Sequence, residues 1–146
     1  MLEVINESGV EIDPLPLIRI TELICAEDIP DQVAELTLLI CDSKRMRQLN
    51  KTYRGKNEDT DVLSFLSDSI PSEQAVRGLK CLWGDIVVDI NQADRQKGSH
   101  SLETELQCLL IHGLLHLLGH DHIKTQDKEK MEHKETYFRY KLIGAC

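Results

Sequence analysis

The sequence predicts an α+β fold: a single domain over residues 1–146 in which one β-sheet is packed by helices. Three observations point there. Its 146 residues suit one domain of about 100–150 residues with one sizeable core. No internal repeat, low-complexity stretch or linker divides the chain. Apolar β-rich runs and helical patterns are mixed, without the strict strand–helix–strand rhythm of an all-parallel fold.

Taken in order, Leu2 to Asn6 reads as a short strand. A helix follows Asp13, with Pro14 in its first turn and Leu17, Ile18, Ile20, Leu23 and Ile24 as the buried stripe. Glu35 to Cys41 (ELTLLIC) is a strand, after which Asp42 or Ser43 caps a helix to about Tyr53. Arg54 to Thr60 is a polar loop, Asp61 to Phe65 a strand, and Ser67 to Lys80 irregular. Trp83 to Ile90 (WGDIVVDI) is the clearest strand, and Asn91 to Gly98 a short helical turn. Ser101 caps a long helix with Glu103 and Glu105 in its first turn, where the macrodipole favours acids. That helix runs to about Leu118 and stops at Gly119. A last amphipathic helix, roughly Thr125 to Leu142, buries Met131, Phe138 and Leu142.

Composition excludes several classes. With 41% hydrophobic residues, 8 Gly and 4 Pro, the chain is neither collagen-like nor disordered. The longest apolar stretch, Cys108 to Gly119, is interrupted by His112 and His116 and is too short to span a bilayer, which takes about 20 residues. The acidic N-terminal segment lacks the basic start of a signal peptide. Five cysteines without a Cys-x-x-Cys pair are expected as reduced thiols of a cytoplasmic protein, with Cys41 and Cys108 as small core residues. The net charge of −8 and the scarcity of aromatics argue against a protein that coats nucleic acid. That average hides a contrast: Lys44 to Lys56 holds six basic residues and no acid.

The chemistry concentrates in His112-Gly-Leu-Leu-His-Leu-Leu-Gly-His-Asp-His122. Histidines four apart on a helix share a face, with Cβ atoms about 5–6 Å apart, a separation that lets two imidazoles reach one Zn²⁺. Gly119 can end the helix in a left-handed conformation, and His122 returns as a third ligand. The pattern matches the extended zincin motif except at one place. The general-base Glu of a zincin follows the first His; here that position is Gly113, which disfavours peptide hydrolysis. Three protein ligands leave a fourth position open, as in catalytic zinc sites. Asp121 is a candidate to orient an imidazole. His120 is expected to point away from His122, and His100 and His133 to lie at the surface. Arg54, at the end of the basic stretch, could stabilise charge developing on a phosphodiester; spacing does not choose between Arg54 and Lys56.

HGLLHLLGHDH, with YRGKNEDTDVLSF and WGDIVVDI, closely resembles the YbeY family of zinc-dependent endoribonucleases that act in ribosomal RNA maturation. The resemblance covers most of the chain in order. It implies a central mixed sheet, a zinc site in a cleft, one Zn²⁺ held by His112, His116 and His122, and Arg54 as the functional arginine. Asp85 also matches the family. Two departures stand out: His120 replaces the usual Tyr or Phe, and Asp59 and Leu66 replace prolines flanking TDVLSF.

The resulting expectation is a cytoplasmic, zinc-dependent endoribonuclease acting on single-stranded ribosomal RNA, with Lys56 assisting Arg54 at the phosphate. Metal hydroxide or the RNA 2′-hydroxyl would supply the nucleophile. Its partners are RNA and ribosomal subunit proteins, not a membrane; the sequence does not fix the oligomeric state. The alternatives are another metal-dependent hydrolase and a non-catalytic ribosome-assembly factor with a structural metal.

Overall fold

Three helix starts are written in a side chain that takes up an orphan backbone N–H. The computed structural model describes residues 1–55, 60–66, 80–119 and 125–144, with side chains undescribed at 80, 81 and 125–127. Among these, four strands and five helices run β1 (Leu2–Asn6), α1 (Leu15–Asp28), β2 (Gln32–Cys41), α2 (Ser43–Arg54), β3 (Val62–Leu66), β4 (Lys80–Asp89), α3 (Ile90–Gln96), α4 (Leu102–Leu117) and α5 (Thr125–Ile143). Asp42 accepts from the Arg45 N–H at 2.8 Å, and Asp89 from Asn91 and Gln92 at 2.9 and 3.2 Å. Ser101 accepts from the Thr104 N–H at 3.1 Å.

The strands form one mixed sheet in the order β1-β2-β4-β3. β1 and β4 both lie parallel to β2, while β3 pairs antiparallel with β4 at an edge. The absence of a strict βαβ rhythm in the sequence comes from this reversed edge strand. One face of the sheet holds Leu36, Leu38, Ile40, Ile86 and Val88 against α1, α4 and α5, and this is the main core. The other face carries a smaller cluster in which Met46 of α2 covers Cys41, Leu63 and Val87.

Several expectations need correction. Leu23 is 44% exposed and Thr21 is buried, because the stripe of α1 runs through positions 17, 20, 21 and 24; the Thr21 hydroxyl is satisfied by the Leu17 carbonyl at 3.0 Å. β2 and β4 each begin three residues earlier than hydropathy suggests, since they pair continuously from Gln32↔Lys80 to Cys41↔Asp89. Arg54 is the last residue of α2, not a loop residue, and Gly55 at φ 70° closes the helix. Cys108 is buried but disulfide-bonded, not a reduced thiol; tertiary folding can join cysteines that no short motif pairs. Positions 67–79, expected to be irregular, lie outside the described residues.

Candidate metal centre

The long helix α4 is apolar almost all round. From Cys108 to Leu117 every residue is buried except His112 and His116. Position 112 plus four is the next turn on the same face, so the two imidazoles form one partly open strip in a buried wall. Their ring centroids are 4.8 Å apart with planes at 73°. They line a cleft of about 440 Å³ together with Arg54, Val62, Leu63, Ser64, Leu66 and Leu117. The basic helix α2 ends there with Arg54, β3 forms one side, and the last turns of α4 form the other. Arg54 brings a positive charge to this lining, which suits an anionic ligand.

Position 113 explains the departure from the zincin pattern. Gly113 is buried against the sheet, and a Cβ there would come within 3.0 Å of Ile86, Ser64 and Val62. The Ser64 hydroxyl donates to the Gly113 carbonyl at 2.9 Å. A glutamate at this position would have to push aside Ile86, Ser64 and Val62. The glycine therefore serves the close approach of α4 to β3 and β4.

The structure thus brings Arg54, His112 and His116 together. Lys56, His120, Asp121 and His122 lie outside the described residues, and no group of three ligating side chains is assembled among those described. Asp85 is not in this cleft: it is exposed and in register with Thr37 and Phe65, on the sheet face away from α4. It lines a separate groove with Tyr53 and Phe65. His133 is exposed, as expected. His100 is not a free surface group; it is half-buried and paired with Glu105 at 2.8 Å.

One residue of the site was missed by the sequence reading. Glu135 of α5 meets His112 Nδ1 at 2.5 Å, with only 12% of its side chain exposed. Its signal was present: Glu135 sits between Met131 and Phe138 on the buried stripe of α5, where an acid needs a partner. The donor set fits Zn²⁺: two imidazoles on adjacent turns, one of them backed by a carboxylate, which is the usual surrounding of a zinc-bound histidine. Burial pushes the Cys41 thiol up to about 12, with Asp89 and Glu7 adding to the rise, and burial likewise raises Cys25.

Comparison with known proteins agrees with this architecture. The family described as Endoribonuclease YbeY matches residues 11–142. A protein of that name from Aquifex aeolicus is 44% identical over 114 residues, 76% of this chain and 72% of its own length. The Renibacterium salmoninarum protein of the same name is 37% identical over 133 residues, 89% of this chain and 85% of its own. The solution structure of TM1509 from Thermotoga maritima superposes with a TM-score of 0.66, covering 99% of this chain and 90% of that one at 24% identity, a likeness of fold. Sequence, fold and the histidine-lined cleft converge: the chain belongs to the endoribonuclease YbeY family.

Proposed function

We propose that this chain is a zinc-dependent endoribonuclease that cuts single-stranded segments of ribosomal RNA during ribosome maturation in the cytoplasm, among ribosomal subunit proteins. The observation that carries this reading is the His112–His116 strip opening into the same cleft as Arg54. His112, His116 and His122 would hold one Zn²⁺. Such an ion supplies Lewis acidity toward a phosphoryl oxygen and lowers the pKa of water.

The chain's own groups do the rest. Arg54 offers a planar fork of donors that matches phosphate oxygens. Its place at the end of α2, beside Gly55, puts that charge at the rim of the cleft. Val62, Leu63 and Leu117 give the cleft apolar walls, which strengthen a charge–phosphate contact by excluding water. Six basic residues between positions 44 and 56 would hold the backbone of a strand without reading its sequence.

The test compares wild type, Arg54→Ala and His116→Ala, purified identically, by elemental analysis and by cleavage of a single-stranded RNA. Arg54→Ala should keep its zinc and lose cleavage; His116→Ala should lose both. Full zinc and full cleavage in His116→Ala would overturn the reading. Chelation should abolish cleavage, and added Zn²⁺ should restore it. Restored folding without restored cleavage would instead make this a non-catalytic assembly factor.

A further inference from the structure

We infer that Glu135 is the positioning residue for His112: its carboxylate accepts the Nδ1–H of His112 and so fixes the tautomer whose Nε2 carries the lone pair on the cleft side. This deepens the metal reading above and rests on it. Neutral imidazole has one N–H and one acceptor nitrogen, and a partner on one nitrogen decides which is which. An ionised carboxylate can only accept. Glu135 Oε1 lies 2.5 Å from Nδ1, so with the carboxylate as acceptor it is Nδ1 that donates. In that tautomer Nε2, across the ring, carries the lone pair a metal would take, and His112 lines the cleft.

Glu135 is itself held in place. Its second oxygen, Oε2, lies 3.4 Å from the Arg139 guanidinium one turn on, and Met131 and Phe138 on either side are 0% and 1% exposed. The helix that carries it is tied to α1 through Lys134 to Asp28 at 2.6 Å and Tyr137 to Glu27 at 2.5 Å. The carboxylate thus stands on a rigid support, and a rotation of the His112 ring would break its 2.5 Å contact with a mostly buried carboxylate. A simple packing role predicts none of this selectivity between the two ring nitrogens.

The experiment uses the full chain with ¹⁵N-labelled histidine, as wild type, Glu135→Gln and Glu135→Leu. Long-range ¹H–¹⁵N correlation spectra report the tautomer with and without Zn²⁺, and competition with a chromophoric chelator reports zinc affinity. Wild type should show His112 protonated at Nδ1 even before zinc is added. Glu135→Leu should populate both tautomers and bind zinc about 10–100-fold more weakly. Glu135→Gln, whose amide oxygen still accepts, should keep the Nδ1–H tautomer and recover most of the affinity, which guards against misreading an unfolded leucine variant. His112 protonated at Nε2 in zinc-free wild type would overturn the proposal, as would zinc held equally by wild type and a folded Glu135→Leu. A wild type that binds no zinc would overturn the metal reading itself, a distinct result.

Discussion

Helix α4 supplies one member of two histidine–glutamate pairs, Glu105 in its first turn and His112 in its second half, and the two pairs are built differently. At its N-terminal end, His100 meets Glu105 at 2.8 Å across five residues of sequence. Gln96 donates both to Glu105 and to Asp61, each at 3.1 Å, so the pair ties the start of α4 to the approach to β3. Glu105 is a buried acid in the first turn, where the positive end of the macrodipole favours it. In the second half of α4, His112 finds Glu135 across 23 residues and on another helix, and the pair backs onto a cleft. The chemistry of the contact is the same. What differs is the surroundings: the first pair joins elements of the fold, whereas the second holds a ring that lines an open cleft.

The comparison breaks most visibly if the two histidine ends are exchanged in a test. His116→Ala should lose its metal and more than about a hundredfold in RNA cleavage, beyond the range seen for groups that merely support ligands. His100→Ala should keep metal content and cleavage, with only a loss of stability. Zinc loss in His100→Ala, measured by elemental analysis, would erase the distinction.

Next in size is the floor beneath the C-terminal pair. Gly113→Ala places a methyl group 3.0 Å from three side chains at once. Overpacking of this kind costs about 1–3 kcal/mol, to be read from denaturant midpoints at unchanged slope. A neutral result would mean that α4 can move away from β3 without penalty.

At the N-terminal end, Ser101→Ala should cost about 1 kcal/mol, the usual loss for a helix cap, while leaving the zinc affinity unchanged. An equal loss in affinity would show that the two ends of α4 are coupled.

The smallest effect concerns the support of α5. The Tyr137 hydroxyl and then the Lys141 ammonium hold Glu27 below its ordinary range, and the hydrogen bonds to Tyr137 and Glu27 hold Lys141 above its own. Stability from a lowered carboxylate is present above the ordinary carboxylate range and is lost as pH falls through its folded value. Stability from a raised ammonium is present below the ordinary lysine range and is lost as pH rises through its folded value. Glu27→Gln should therefore remove a small part of both the acid and the alkaline dependence, seen in thermal melts across the two ranges. Both groups are exposed to solvent, so the change at neutral pH should be near the limit of detection.

Legibility followed the distance over which a signal acts. The caps Asp42 and Ser101, the stop before Gly119 (φ 95°) and the shared face of His112 and His116 are local effects, and each could be read from neighbours within a few residues. Leu23 and Thr21 exchanged roles because they flank the α1 stripe on opposite sides, where the angle at which the helix packs decides which is buried. Asp85 matches the family motif, but strand alternation turns it to the sheet face away from α4. Glu135 was readable only as an anomaly, an acid on an apolar stripe, because its partner is a helix away. Cys108 was read as a free thiol for the same reason: a disulfide formed through tertiary structure has no short spacing to announce it.

By itself the sequence determined that this is an α+β chain with two imidazoles on one helix face, because helical periodicity and strand alternation are properties of neighbouring residues. Only the tertiary structure decided that α2 delivers Arg54 to that face, that Gly113 must be small, and that Glu135 backs His112. Those facts depend on where separate elements dock, and docking is set by the summed burial of a core that no local window contains.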